Sequence, residues 1–250
     1  MAIKFNLEKV YDSKHIVCFV NEVEKLLFPD FWAAIHQKGS LLKAHNLFTH
    51  YISKEKEKLE IFFSKLDELR NKLEQDVVFT FESDPACDCY EEIILTYPGY
   101  KALLFHRIAH ELNLLNLHIV ARIISEEAHK QTGIDIHPGA TLGAPICIDH
   151  GTGIVIGETT IIGHHCKIYQ GVTLGALSTS RGQLIADQKR HPTIGNHVTI
   201  YAGASILGGE VVIGDNVVIG SNVYLIESIP SNHKVKLQTP QLILIKKGEK

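Results

Sequence analysis

The chain of 250 residues contains little cysteine and little arginine, and each shortage excludes something. Its five cysteines are an odd number in a long chain, which argues against a disulfide framework and favours a reducing cytoplasm. Only five of the 25 Lys and Arg residues are arginine, and the formal net charge is -3. The composition therefore excludes the basic footprint of a nucleic-acid-binding protein.

A long apolar run is also missing. No run approaches the roughly 18 residues that a membrane-spanning helix needs, and residues 1–6 lack the apolar core of a signal peptide. We therefore expect a cytoplasmic protein with no membrane partner.

Glycine is scarce in the first half of the chain and abundant in the second. Of 19 glycines, 16 lie between Gly133 and Gly220, and only Gly39 and Gly99 come earlier. Because glycine costs a helix interior about 1 kcal/mol, we expect residues 1–131 to be helical and the following residues to turn often.

Three stretches of the first half carry helical patterns. A helix over 17–27 ends before Pro29, because proline disfavours helix in the residue that precedes it. A stretch from about Leu41 enters a run of alternating charges over 54–60, which is typical of a solvated helix face. Apolar residues three or four positions apart predict one amphipathic helix through Leu104, Ile108, Leu112, Leu115 and Ile119.

After Gly133 the apolar period becomes six residues. A six-residue period predicts a hexapeptide solenoid, in which each hexad forms one short strand and a turn. A β-sandwich would instead give variable spacings of about 8–12 residues. The repeated aliphatic positions are Ile136, Leu142, Ile148, Ile156, Ile162, Ile168, Leu174, Ile194, Ile200, Ile206, Ile213, Ile219 and Leu225.

Three hexads close one triangular coil, and successive coils stack at about 4.8 Å. The period slips near Gly151, Ser178 and Gly209. The slip near Ser178 is the largest, and it predicts a loop over 176–189 that leaves the coil. Loops of this kind often line the binding face of a solenoid.

Several short motifs contain residues that can take part in acid–base or binding chemistry. They occur in this chain of predicted helices followed by a predicted solenoid. Together they resemble the serine acetyltransferases over roughly residues 75–230, and the second and third motifs are the most specific pair. The motifs are Asp84-Pro85-Ala86-Cys87-Asp88, Asp135-Ile136-His137-Pro138, Ile148-Asp149-His150-Gly151-Thr152-Gly153, Gly157-Glu158-Thr159 and Arg190-His191-Pro192.

The resemblance implies an α+β protein with three parts. A helical N-terminal domain over 1–131 precedes a left-handed parallel β-helix over 132–230 with its extruded loop, and a tail follows over 231–250. It also implies trimers that associate through their coils, with substrate sites between neighbouring subunits. The helical region is implied to join two trimers into a hexamer.

Acetylating a hydroxyl group requires a base, and His150 is our candidate, since an imidazole titrates near about 6.5. The resemblance assigns Asp135 to hold the tautomer of His150 and to stabilise the imidazolium. The two residues are 15 positions apart, close to one coil, so they could lie near one edge of the solenoid.

The acceptor amino acid carries both an ammonium and a carboxylate group. By resemblance, Asp84 and Asp149 bind the ammonium, and Arg190 faces the carboxylate, which a guanidinium can bind through two bonds. His191 is implied to be a second active-site histidine, for carboxylate binding or charge stabilisation. Asp84 before Pro85 also fits a helix N-cap, and it could serve both roles.

Acetyl-CoA is the implied cosubstrate, and no metal is expected. By resemblance, the cofactor contacts fall at Gly175, Ala176, Ala202 and Ser221, although small residues also suit coil corners. Three lysines are available for the phosphates of the nucleotide: Lys189, Lys234 and Lys236.

We therefore expect direct transfer of the acetyl group from acetyl-CoA to L-serine, giving O-acetylserine, the first step of cysteine biosynthesis. A covalent route through Cys147 or Cys166 is less favoured, because both lie within hexads as small apolar fillers.

Three alternatives remain open from the sequence. The acceptor could be homoserine or a sugar, or the protein could be a non-catalytic scaffold. A zinc hydratase like the γ-class carbonic anhydrases, which use histidines between subunits, is the third, and the residues that keep it open are His164, His165, Cys166 and His197. His106 and His110 resemble half a metal site, but helix packing explains them better.

The resemblance also raises a protein partner, O-acetylserine sulfhydrylase. Family members enter the active site of that enzyme with a terminal isoleucine, which the segment 241–250 lacks. The sequence leaves this complex open, and it also leaves open inhibition by cysteine at the serine site.

Overall fold

In the computed structural model of the chain, the described residues are 13–29, 31, 32, 44, 46, 56–238 and 243. The helical pattern of the first half is confirmed. Its helices within the described residues are α1 (Ser13–Leu27), α2 (Lys56–Ser64), α3 (Leu66–Ser83), α4 (Tyr90–Thr96), α5 (Pro98–Leu114) and α6 (His118–Thr132).

The charged run over 54–60 enters α2, where Leu59 is buried while Glu57 and Glu60 are exposed. This arrangement fits the predicted solvated helix face. Of the preceding stretch from Leu41, only Ala44 and Asn46 are among the described residues before 56. Within the described ranges, no helix is both long and apolar enough to cross a bilayer.

The single helix predicted through Ile119 is wrong. Helix α5 ends at Leu114, Asn116 adopts a left-handed backbone with φ of 59°, and α6 begins at His118. Asparagine tolerates this conformation because its short side chain is easily accommodated there. The two helices then pack against each other, and Ile119 is half exposed instead of continuing the apolar stripe.

The second half is a parallel solenoid of about five coils, which confirms the prediction from the six-residue period. Its strands are β1 (Asp135–Ile136), β2 (Thr141–Leu142), β3 (Ile146–Asp149), β4 (Val155–Ile156), β5 (Ile161–Ile162), β6 (Cys166–Tyr169), β7 (Thr173–Gly175), β8 (Thr193–Ile194), β9 (Thr199–Ile200), β10 (Ser205–Leu207), β11 (Val212–Ile213), β12 (Val218–Ile219), β13 (Tyr224–Leu225) and β14 (Lys234–Val235).

Strands three apart along the chain pair in parallel, as do β12 and β14, and together they form three sheets. The first sheet is β1-β4-β7-β10-β13, the second is β11-β8-β5-β2, and the third is β14-β12-β9-β6-β3. Coil 1 therefore contains β1–β3, coil 2 contains β4–β6, and coil 3 contains β7–β9. Three columns of turns join the sheets, and we call them the first, second and third corner.

The first corner leads from the first sheet to the second through 137–140, 157–160 and 176–192. The second corner leads to the third sheet through 143–145, 163–165 and 195–198. The third corner returns to the first sheet through 150–154, 170–172 and 201–204. These columns carry the polar side chains, because the strands point their aliphatic residues inward.

The core of the solenoid consists of the predicted hexad residues. Ile136 pairs with Ile156, and Ile148 pairs with Ile168, so equivalent side chains stack from coil to coil. All of the predicted positions are buried except Leu225, which is only partly buried in the last coil. Each buried aliphatic side chain contributes about 1.5–3 kcal/mol relative to exposure.

The helices are attached to the first coil by a buried ion pair. Asp76 of α3 accepts two hydrogen bonds from Arg107 of α5, at 2.7 and 2.8 Å. Asp76 also accepts the amide of Ile146, and Arg107 donates to the carbonyl of Gly143. Gly99 lets α5 approach β3, since a Cβ there would clash with the carbonyl of Ile148.

The limits of the solenoid can be compared with the predicted parts. Helix α6 ends at Thr132, and β14 still pairs with β12, so the third sheet continues past residue 230. Between β7 and β8 the chain leaves the coil over 176–192, which includes the predicted loop. The segment 241–250, apart from Ile243, lies outside the described residues.

Candidate active site

The third corner of coil 1 presents His150 to solvent. His150 follows β3 with a φ of 57°, and 72% of its side chain is exposed. Its Nδ1 atom lies 3.7 Å from Oδ1 of Asp149, the last residue of β3. A histidine in the left-handed region is uncommon outside turns, and the tight turn here directs the imidazole away from the packed coil.

A second carboxylate reaches the same corner from the helical domain. Asp84 directly follows α3, and its Oδ2 accepts a hydrogen bond of 2.7 Å from the hydroxyl group of Tyr97. Its Oδ1 accepts the amide of Ala86 at 2.9 Å. These bonds, together with the nearby charge of His150, lower the pKa of Asp84.

The predicted N-cap role of Asp84 is wrong, because the side chain closes a turn at the end of α3 and the N-cap of α4 is Cys89. Asp84 is therefore ionised at neutral pH and faces the same corner as His150. The contribution of Tyr97 could not be found from the sequence, since no motif contains it.

Asp135 lies at the start of β1, half buried, below the third corner. Its backbone amide donates to the carbonyl of Ile154, and the amide of Gly153 donates to the carbonyl of Gly133. The turn that carries His150 is thus stacked on the turn that precedes Asp135. Among the described residues, no hydrogen bond joins Asp135 to His150; the carboxylate found against the imidazole is that of Asp149.

His191 occupies the first corner and is almost fully buried. Its Nδ1 accepts the amide of Thr159 at 3.1 Å, so the proton of the neutral ring is on Nε2. Burial and the neighbouring Arg190 lower the pKa of His191 to about 4. Gly157 makes room for this ring, because a Cβ there would overlap it. His191 is therefore a neutral Nε2–H donor at pH 7.

Arg190 lies beside His191 and pairs with Glu158. Its guanidinium also donates to the carbonyl of Ala186 at 2.9 Å, and its backbone amide donates to Oγ1 of Thr159. The Gly-Glu-Thr motif therefore holds the Arg-His pair in place. The roles of Glu158 and Thr159 cannot be predicted from their sequence motif, because only the folded coil shows what they contact.

The predicted site residues form two groups on different corners. Asp84, Asp149 and His150 are at the third corner, while Arg190 and His191 are at the first. The first sheet separates the two corners. One chain therefore does not bring together the residues predicted to bind the ammonium group and the residues predicted to bind the carboxylate group.

The predicted cofactor contacts divide in the same way. Gly175 and Ala176 lie where the first sheet opens into the loop, and Ala202 and Ser221 lie at the third corner. A cavity of about 430 Å³ lies under the loop. It is lined by residues that include Ala176, Ser178, Arg181, Arg190, Leu207 and Ile226.

Lys189 does not present its ammonium group for a phosphate. Its Nζ donates to the carbonyls of Thr159, His191 and Pro192, and this closes the base of the loop. Desolvation by burial lowers its pKa. Lys234 and Lys236 are both exposed near the last coil.

The two solenoid cysteines are not activated nucleophiles. Cys147 and Cys166 are buried, and burial raises the thiol pKa of each to about 11. Both thiols are therefore protonated at neutral pH, which fits the filler role predicted for them.

Two sets of histidines outside the two groups also lie close together. His106 is buried in α5 with a pKa lowered by desolvation, and Nδ1 of His110 lies 2.9 Å from the carbonyl of Pro138. Those two rings pack the helix against the first corner. His164, His165 and His197 form a cluster at the second corner, with ligand atoms all within 4.8 Å of one another.

Comparisons with known proteins agree on one family. No protein-family model matches the chain. The plasmid-encoded serine acetyltransferase of Synechococcus elongatus is 50% identical over 147 residues, 58% of this chain and 46% of that protein. Other curated relatives are also matched over about half of their length.

Solved structures match over more of the chain. Serine acetyltransferase isoform 3 of Entamoeba histolytica, in complex with cysteine, is 33% identical with a TM-score of 0.81, covering 98% of this chain and 88% of that one. The serine acetyltransferase of Neisseria gonorrhoeae in complex with serine is 31% identical with a TM-score of 0.66, covering 92% and 83%. The chain therefore belongs to the serine acetyltransferase family.

Proposed function

We propose that this protein transfers the acetyl group of acetyl-CoA to the hydroxyl group of L-serine, giving O-acetylserine and CoA, in the first step of cysteine biosynthesis. The observation that carries the proposal is the third corner. There an exposed imidazole, His150, stands beside the carboxylates Asp149 and Asp84 in a chain of this family.

His150 acts as the general base. Its exposed imidazole takes the hydroxyl proton as the serine oxygen attacks the thioester carbonyl, and help of this kind contributes about 10²–10⁴-fold to the rate. Asp135, in the coil position below, is proposed to orient the imidazole and to stabilise the imidazolium. This role requires the exposed His150 side chain to turn from Asp149 towards Asp135.

Asp84 and Asp149 bind the serine ammonium. Tyr97 fixes the carboxylate of Asp84 through its 2.7 Å hydrogen bond, so the group is ordered before the substrate arrives. Cysteine carries the same ammonium and carboxylate groups as serine, and it is bound in the structure of the Entamoeba histolytica relative. We therefore expect cysteine to compete with serine at this corner.

The other half of the site comes from the first corner of a neighbouring subunit in a trimer. Arg190 exchanges the carboxylate of Glu158 for that of the substrate, which suits a bidentate guanidinium. The Nε2–H group of His191 is available to the oxygen that gains negative charge as the tetrahedral intermediate forms. The separation of the two corners within one chain supports this arrangement.

Acetyl-CoA lies in the groove between the same two subunits. Gly175 and Ala176 border it from one subunit, and Ala202 and Ser221 border it from the other, where small side chains allow a close approach. Holding both reactants in line supplies up to several kcal/mol of the barrier reduction. The hexamer and the cytoplasmic location remain predictions.

A competition assay tests the acceptor. Serine, homoserine and a sugar acceptor are offered at equal concentration with acetyl-CoA, and CoA thiol release and the acetylated products are measured. We expect O-acetylserine to dominate. Faster acetylation of homoserine or of the sugar would contradict the proposal, and so would stoichiometric zinc with hydration activity, which would support the hydratase.

A further inference from the structure

The second corner carries a histidine cluster that the proposed acetyl transfer does not use. His164 and His165 belong to coil 2. His197 in coil 3 occupies the position equivalent to His165. The rings of His165 and His197 are stacked, with centroids 4.8 Å apart and planes at 16°. His164 stands nearly perpendicular to both, at 82° and 86°.

A ladder of hydrogen bonds between side chains and backbone amides runs along this corner. The backbone amide of His164 takes part in it, but the His164 side chain does not. Oδ1 of Asn196 accepts the amide of His164, Oδ1 of Asp215 accepts the amide of Asn196, and Oγ of Ser231 accepts the amide of Asp215. In each step, the side-chain oxygen of one residue accepts the backbone amide of the equivalent residue in the preceding coil. His164 holds the first place in this column, and its Nδ1 points to Nδ1 of His165 at 2.9 Å.

Backbone conformation does not explain the other two histidines. His165 and His197 have φ values of 57° and 56°, and the same column continues with Asn216 and Asn232 at 57° and 63°. Asparagine therefore serves this left-handed position equally well. The imidazoles must be accounted for by what their nitrogens can bind.

We propose that these three histidines bind one divalent transition metal ion such as Zn²⁺. Imidazole nitrogen suits Zn²⁺, Cu²⁺ and Ni²⁺, whereas Mg²⁺ and Ca²⁺ need oxygen ligands. Nitrogens bound to Zn²⁺ at about 2.0–2.1 Å in a tetrahedron lie roughly 3.3 Å apart. The three rings are exposed, so they are free to turn from the present 4.8 Å limit towards that spacing, and the stacked pair of His165 and His197 must open to direct both nitrogens at one ion.

Neighbouring residues restrict the cluster on one side. The ring of Phe79, from α3, packs edge-on against His165 at 5.3 Å, and Lys167 lies over the other part of the Phe79 ring. Cys166 is not a ligand, since its thiol is buried and donates to the carbonyl of Gly195. The fourth metal position faces solvent and is left for water. The metal thus joins coil 2 to coil 3 at the second corner.

Calorimetric titration of the full chain with ZnCl₂ tests this site, with MgCl₂ as the negative probe. We expect one Zn²⁺ per chain and a higher melting temperature with the ion, because the ion binds the folded state selectively. His197→Asn and His164→Asn should each weaken Zn²⁺ binding about tenfold or more. Both substitutions introduce a residue that the same columns already contain, so the fold is expected to persist.

Two controls separate this site from other histidines. His118→Gln changes an exposed helix residue, and His150→Ala changes the third corner; both should bind Zn²⁺ like the wild type. The spectrum of bound Cu²⁺ should show coupling to imidazole nitrogen that weakens in His197→Asn. Absence of stoichiometric binding, or loss of binding in His150→Ala with retention in His197→Asn, would overturn the proposal.

Discussion

At the scale of single residues, the hydrogen bond from Tyr97 fixes the carboxylate of Asp84, which we propose to bind the ammonium group of serine. Tyr97→Phe removes one hydroxyl and keeps the ring. Because a hydrogen bond to a charged group is worth about 1.5–3 kcal/mol, we expect KM for serine to rise roughly tenfold or more, with a smaller change in kcat.

Steady-state kinetics with each substrate varied in turn checks this prediction. Tyr90→Phe is a matched control, since Tyr90 is exposed and its ring packs on Phe81. An equal rise in KM for acetyl-CoA, or an unchanged KM for serine, would show that Tyr97 does not order the serine site.

His191 links the first corner to a measurable pH dependence of stability. Its pKa falls to about 4 in the folded protein, below the roughly 6.5 of an unfolded histidine. Between these values the unfolded chain binds the extra proton, so the free energy of unfolding decreases as pH falls from about 6.5 to 4. In His191→Asn this part of the decrease should disappear.

Urea denaturation at several pH values compares the two proteins. The buried His106 contributes in the same direction to both, so the difference between the curves isolates His191. Parallel curves for wild type and variant across this pH range would mean that His191 is protonated normally.

At the scale of secondary-structure elements, the buried Asp76–Arg107 pair joins α3 and α5 to the first coil. The two side chains are 1% and 4% exposed. Asp76→Asn leaves the guanidinium of Arg107 buried without its counter-charge, which should lower the free energy of unfolding by about 3–5 kcal/mol.

The exposed pair between Lys72 and Glu68, on the same helix, provides the control. Glu68→Gln should change stability by only about 0–1 kcal/mol, because solvent screens surface ion pairs. Chemical denaturation measures both. If Asp76→Asn is as mild as Glu68→Gln, the pair does not secure the helices to the solenoid.

The sequence predicted these elements unevenly, for physical reasons. The six-residue period identified the strands because each hexad must place one aliphatic side chain inside a narrow prism. The break at Asn116 was missed because the apolar spacing from Leu112 to Leu115 continues through a short turn. The ion pair between Asp76 and Arg107 could not be predicted from the sequence, because the two residues are 31 positions apart in two amphipathic helices.

At the scale of the whole molecule, the proposed active site needs two chains. His150→Ala and Arg190→Ala subunits should each be almost inactive alone. When the two variants are mixed in equal amounts and form trimers at random, half of the third corners and half of the first corners are intact. About a quarter of the interfaces therefore pair an intact third corner with an intact first corner. Co-expression should therefore restore roughly a quarter of wild-type activity.

Differently tagged subunits allow this assay. The unselected mixture should show about a quarter of wild-type activity, and mixed trimers purified through both tags about a third, because one of their three interfaces is intact. The alternative outcome, a mixture as inactive as its components, would place the complete site within one chain. The motifs around His150 and Arg190 could be read from the sequence. That they lie on different corners, and that Glu158 holds Arg190, became visible only when the coils were stacked.

The proposed role of His150 as the base in acetyl transfer to serine can be tested directly. The most direct measurement is the initial rate of CoA thiol release from acetyl-CoA by wild type and His150→Ala at saturating L-serine. We expect serine-dependent release by the wild type and less than about a tenth of that rate in the variant. No serine-dependent release by the wild type, or a higher residual rate in His150→Ala, would contradict it.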